Sequence, residues 1–406
     1  MPPEEFCKSK MMSVKEAGII FVIFRGKFHS AVAICQGILY NENISETVKE
    51  LSMTNRENYL AIARRQGYEY MPVHFSMCPS LQERFNQYRQ EHELFIPEGP
   101  SHVGSLPMIC AEPAEFEKYY EDRPIKAGGG IDRWGVGHEP GSKAAFHMTY
   151  MRHPMENFDS LEQIQSYPFP VFTSEGAEQQ KAKTEAFHAQ GKAVQGGLGC
   201  SLWEQAWYLR GMENLFCDMM SEDPMAEELL DRVTDVAVAQ MESLARAGVD
   251  SVYFGDDIGM QHTIMMSEEL YSEWLKPRLK RLIDAGKAIK PDLIVIYHSC
   301  GHVNELIPHL MEAGIDVLNP VQPECMEFKK IHAEYGDVLS FHGTIGTQST
   351  MPFGTPEDVR KMVFDNLDIA GKKGGLFVAP THLLEPDVPV ENVVAYIEAC
   401  AQYTSR

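Results

Sequence analysis

Leu293-Ile-Val-Ile-Tyr-His-Ser-Cys-Gly-His302 decides how the rest of the chain is read. The β-formers of residues 293–297 stop abruptly at His298-Ser-Cys-Gly301, and a helical pattern begins at Val303. This is a buried strand that delivers an imidazole and a thiol to its C-terminal end, where α/β folds keep their chemistry. Side chains two apart on a strand share a face, so His298 and Cys300 point the same way. Both are good ligands for zinc. Taken alone, the pair reads equally well as a hydrogen-bonded core histidine beside a buried, inert cysteine.

Outward from this strand the same rhythm repeats. Strand-like segments lie near residues 72, 195, 253, 318, 340 and 377, separated from residue 176 onward by helical patterns. Such alternation calls for a parallel sheet with right-handed crossovers. An eighth strand is expected within 79–175, a stretch mixing helical segments with the Gly-rich passage 128–138. Eight strands close a (β/α)8 TIM barrel, so the expected fold class is α/β, with residues 53–406 as one barrel carrying an insertion at about 79–190. An open doubly wound sheet lacks support, because no GxGxxG or P-loop is present.

Polar residues recur where these strands end: His74, Gln195, Asp256, Asp257, His298, Cys300, Gln322, His342 and His382. Buried polar groups are costly without a purpose, and a barrel gathers all its strand ends on one face. They are therefore expected to ring one pocket. Within that ring His298, Cys300 and His382 make the best metal set, since catalytic zinc takes three N/S ligands and keeps one position open. Cys325 competes for the third place but follows Pro323 in an apparent loop. Asp256 and Asp257 are candidates for acid–base work or for orienting a ligand; a solvated acidic turn is the plainer alternative. Tyr253 and Gln322 are expected nearby. His74, His342, Asp132 and Trp134 are candidate substrate contacts, the last two from the glycine-rich loop.

Composition narrows the partners. Net charge is 36 − 58 = −22, which argues against nucleic acid or an anionic membrane as partner. The nine cysteines are an odd number without disulfide-scaffold spacing, so a reducing compartment, the cytoplasm, is expected. No apolar run approaches the ~18 residues of a membrane span. Residues 1–52 read differently: six Lys/Arg balance six Asp/Glu, and Arg25 interrupts an apolar run too early for a signal peptide. They are expected to be a peripheral extension, with a fresh start at Met53.

Trp207-Tyr-Leu-Arg-Gly211, Gly255-Asp-Asp-Ile-Gly259, His298-Ser-Cys-Gly301, Asn319-Pro-Val-Gln-Pro323 and Ala379-Pro-Thr-His-Leu-Leu-Glu-Pro-Asp387 resemble the uroporphyrinogen decarboxylase superfamily over roughly 53–403. They look most like its branch of corrinoid-dependent methyltransferases. That resemblance implies zinc at the His-x-Cys pair, a corrinoid carried by a separate partner protein, and a small-molecule methyl donor; it is compatible with a homodimer. Two departures matter. The branch pairs His-x-Cys with a later cysteine, where this chain has His382. True decarboxylases have an arginine-rich segment after the first strand, where Phe75-Ser-Met-Cys-Pro-Ser80 stands here. Two imidazoles and one thiolate leave zinc a net +1, a stronger Lewis acid than two thiolates would allow, suited to polarising an ether oxygen. The expected activity is methyl transfer from a methyl ether to Co(I). Metal-independent decarboxylation of a small acid, or a ligand-binding barrel without catalysis, are the other readings.

Overall fold

Alternation along the strands separates the inside of the barrel from its outside. The computed structural model describes residues 53–141 and 149–404, so the expectation for residues 1–52 lies outside the described residues. Its main sheet holds seven parallel strands paired in chain order: β1 (Ser101–Val103), β2 (Val194–Cys200), β3 (Ser251–Gly255), β4 (Ile294–His298), β5 (Val317–Asn319), β6 (Ser340–His342) and β7 (Leu376–Phe377). In β4, Val295 and Tyr297 pack among the helices, whereas Ile294 and Ile296 form an inner cluster with Val317 and Phe377. His298 continues the parity of Ile294 and Ile296 and so emerges on the inner side. The inner cluster is plugged from the other end by α1 (Asn55–Ala63), which contributes Tyr59 and Ile62.

The sheet is curled, and the architecture is the expected TIM barrel. The eighth strand anticipated within 79–175 is β1. The segment near residue 72 departs from expectation: it is extended but forms no regular ladder. Pro72 has no N–H to donate, and the N–H of His74 is taken by Tyr396 Oη at 3.2 Å. Val73 N–H donates to Pro97 O at 3.1 Å on one flank, and Leu384 N–H to Ser76 O at 2.9 Å on the other. Residues 73–76 thus bridge the stretch before β1 and the loop after β7 through a few isolated bonds.

The expected insertion at 79–190 also contains barrel parts. Besides β1 it holds Ala177–Ala189, the helix that precedes β2. Between them lie two small antiparallel sheets, Met108–Ile109 with Val171–Phe172, and Gly130–Ile131 with Gly137–Pro140 and Thr149–Arg152.

One short helix lines the site and one long helix covers the sheet. α2 is Trp203–Arg210, and α3 is Pro224–Ala247. α3 starts at Asp223, whose side chain accepts from Met225 N–H at 2.9 Å, and stops at Gly248 with φ 83°. Leu230, Val233, Ala237, Met241 and Leu244 recur every three or four residues on its buried face. Each large one adds about 1.5–3 kcal/mol by leaving water. No helix among the described residues is long and apolar enough to cross a membrane.

Candidate metal and substrate site

Register levels the strand ends that bear chemistry. Gly255 pairs with His298, and His298 with Asn319, so these three sit side by side at one rim. Above them opens a cavity of about 740 Å³ lined by His74, His102, Gln195, Tyr253, Asp257, His298, Asn319, His342 and His382 among others. Five of these groups are imidazoles, and no lysine or arginine lines it among the described residues.

His298, Cys300 and His382 each offer a donor atom, all within 4.8 Å of one another. Cys300 Sγ lies 3.5 Å from His298 Nε2. A tetrahedron built on the usual zinc–nitrogen and zinc–sulfur bonds has an N–S edge of about 3.5 Å, so this pair is already at the spacing zinc requires. The donor set therefore fits zinc. Cys325 is not part of this group.

Hydrogen bonds fix the orientation of His298. Asn319 Nδ2 donates to the His342 carbonyl at 2.8 Å, an acceptor-only group, which sets the amide so that Oδ1 faces His298. Asn319 Oδ1 then accepts from His298 Nδ1–H at 2.6 Å and from Tyr253 Oη–H at 2.7 Å. With the proton on Nδ1, the Nε2 lone pair points to Cys300 and is available to a metal. Burial disfavours a charge on His298, but hydrogen bonds from Nε2 to Asp257 and Cys300 outweigh it and hold the imidazole well above its ordinary value, so a metal binding at Nε2 displaces a proton there. Burial opposes ionisation of Asp257 too, yet its bond to His298 prevails and lowers it.

The same amide reaches a second imidazole pair. Asn319 Nδ2 also donates to His342 Nδ1 at 2.6 Å, leaving His342 Nε2–H to donate to His74 Nδ1. Burial, reinforced by its imidazole neighbours, pushes His342 well below its ordinary value; burial and then His102 push His74 down to about 4. Both are neutral at pH 7.

The remaining candidates divide. Asp257 lines the cavity, and its Oδ1 accepts Cys300 N–H at 2.7 Å. Asp256 is buried away from the cavity lining. Its carboxylate accepts the N–H groups of Leu202 and Glu204 at 3.1 and 2.9 Å and so caps α2 from another strand. Burial and then the Glu204 charge raise it to about 7. Gln322 also lies off the lining; its Oε1 accepts Gly301 N–H at 3.1 Å, bracing the His-x-Cys loop. Asp132 and Trp134 do not reach the cavity. Asp132 Oδ1 accepts the Trp134 and Val136 N–H groups, forming a tight turn within the antiparallel hairpin.

Sequence reasoning missed His102, Cys200, Glu204, Tyr208 and Asn319. Glu204 and Tyr208 carried a signal, a polar pair four apart on a helix that follows a strand. Asn319 stood in plain sight at the end of β5, inside a motif read only as family resemblance.

The sequence profile of the family described as Uroporphyrinogen decarboxylase (URO-D) matches residues 153–403. The methylcobamide:CoM methyltransferase MtaA of Methanosarcina barkeri is 24% identical over 180 residues, covering 44% of this chain and 49% of that protein. A uroporphyrinogen decarboxylase of Chlorobium limicola is 25% identical over 191 residues, 46% of this chain and 52% of its own. The chain spans about half the length of the curated relatives it matches. A solved methyltransferase from Methanosarcina mazei shares the fold, with TM-score 0.58 at 16% identity over 87% of this chain and 99% of its own. With its barrel, its strand-end motifs and a profile match over well more than half its length, this chain belongs to the uroporphyrinogen decarboxylase family.

Proposed function

We propose that the protein is the zinc-dependent component of a corrinoid methyltransferase system, moving a methyl group from a methyl ether to Co(I) of a separate corrinoid protein. The observation that carries this reading is the cluster of His298, Cys300 and His382 donor atoms within 4.8 Å beside a large cavity. Likeness to a methylcobamide-using methyltransferase supports it. Zinc held by these three residues would supply a Lewis acid of net +1 charge, able to polarise an ether oxygen. His298 is oriented for ligation by Asn319, and Asp257 holds the Cys300 backbone in place. His74, neutral, has its Nε2–H left to offer the substrate a hydrogen bond rather than a charge, while His342 has both ring nitrogens engaged by Asn319 and His74. A cavity with no lysine or arginine among its described residues is poorly suited to a polycarboxylate such as a porphyrinogen, so decarboxylation of that class finds no support here.

The test begins with metal analysis of the purified protein and of His298→Ala and Cys300→Ala variants. About one zinc per chain is expected, and its loss in either variant. The zinc-loaded protein is then mixed anaerobically with free cob(I)alamin and a panel of methyl ethers and methylated amines. Loss of the Co(I) absorbance with ethers is the expected result. A zinc-loaded protein with which neither methyl ethers nor methylated amines lower the Co(I) absorbance sinks the reading, and a protein that binds no zinc after reconstitution removes the metal from it.

A further inference from the structure

Glu204 and Tyr208 face the same cavity as His298 and His382 and have no part in the reading above. Lying four residues apart on α2, they share one helix face. Tyr208 Oη lies 2.8 Å from Glu204 Oε1, a hydrogen bond that serves in either direction, and 3.4 Å from Cys200 Sγ. The other carboxyl oxygen, Glu204 Oε2, accepts Asp257 N–H at 3.0 Å, next to the His-x-Cys cluster. A helix N-terminus would normally favour an ionised Glu204. That end is already claimed by Asp256, which takes Glu204's own N–H. The titratable groups around Glu204 are Tyr208, Cys200, Asp256 and Asp257, with no cation among them. Burial first, and the Asp257 charge next, raise the Glu204 carboxyl above its ordinary value. Burial raises Tyr208 far above its own, so the phenol keeps its proton until another replaces it.

We propose that Glu204 and Tyr208 form a proton-delivery arm that protonates the oxygen left behind when a methyl ether gives up its methyl group. This rests on the methyl-ether reading above. The methyl C–O bond breaks with its electron pair staying on oxygen, and Co(I) of the corrinoid partner supplies the pair for the new Co–C bond. The leaving oxygen takes the Tyr208 hydroxyl proton. Tyr208 is then reprotonated from water through Glu204, whose carboxylate oxygen accepts the hydrogen bond from its hydroxyl. The net product is a free alcohol or phenol.

Glu204→Gln and Tyr208→Phe, each zinc-loaded, are assayed with cob(I)alamin and a series of aryl methyl ethers whose phenols span a range of acidity. Ethers of weakly acidic phenols should lose about 10²–10⁴-fold in rate, the usual worth of a general acid. Nitro-substituted ethers, whose phenolates leave unaided, should lose little. A uniform loss across the series, or none, overturns the arm while leaving the methyl-ether reading intact. A wild-type protein inactive on every ether overturns both. An independent readout is the solvent deuterium isotope effect on single-turnover methyl transfer from ethers of weakly acidic phenols. A sizeable effect in wild type that is lost in Tyr208→Phe is expected, and an effect unchanged by that substitution overturns the proposal.

Discussion

Asn319 shows how much one amide can organise. Its oxygen receives the His298 and Tyr253 protons, and its nitrogen serves the His342 ring and carbonyl. Asn319→Ala should leave the three proposed ligands in place but free His298 to rotate or change tautomer. Groups that orient a ligating imidazole typically contribute 10–100-fold in metal affinity. A loss of about that size is expected in a zinc titration against a competing chelator, and unchanged affinity would show that Asn319 does not orient the ligand. Asn319 also marks the limit of reading sequence alone. A polar residue at a strand end is visible there, but which of several polar ends link to one another depends on register. The Asp256-Asp257 pair makes the same point, because two adjacent carboxylates with identical chemistry face opposite ways on one chain. One reaches the cavity and the other caps α2.

At the scale of elements, the strands with strong apolar runs were legible, as were the helices between them. β1 was placed only within a broad window because three residues give too short a pattern to read. The segment near 72 looked like a strand because its side chains are right; its backbone partners are not visible in sequence. Strand packing also sets a steric limit at Gly255. A Cβ there would overlap the backbone of His298 on the neighbouring strand, so only glycine lets β3 and β4 approach this closely. Gly255→Ala should cost about 1–3 kcal/mol or more, as overpacking does, and should also displace His298. Paired thermal melts and zinc measurements would reveal this, and a variant with normal melting and full zinc would contradict it.

For the molecule as a whole, the imidazole pair His74 and His342 links folding to acidity. The folded value of His74 is depressed from 6.5 to about 4. Between those values the unfolded chain binds a proton that the folded one does not, so stability rises with pH. Below about pH 6.5 the protein should lose stability progressively, with His74 alone contributing on the order of 3 kcal/mol by pH 4. His342, also depressed, adds in the same direction. Urea melts of wild type and His74→Phe from pH 7 to pH 4 would measure this, and parallel pH profiles for the two proteins would disprove it.

The uneven closure of the barrel has a mechanical consequence. β3, β4 and β5 are joined by continuous ladders, while the chain around His74 is tied to its flanks by scattered single bonds. The cavity therefore has one stiff wall, carrying His298 and Asn319, and one compliant wall, carrying His74. Guests of different girth should find give on the compliant side, while His298 and Cys300 on the stiff side keep their spacing.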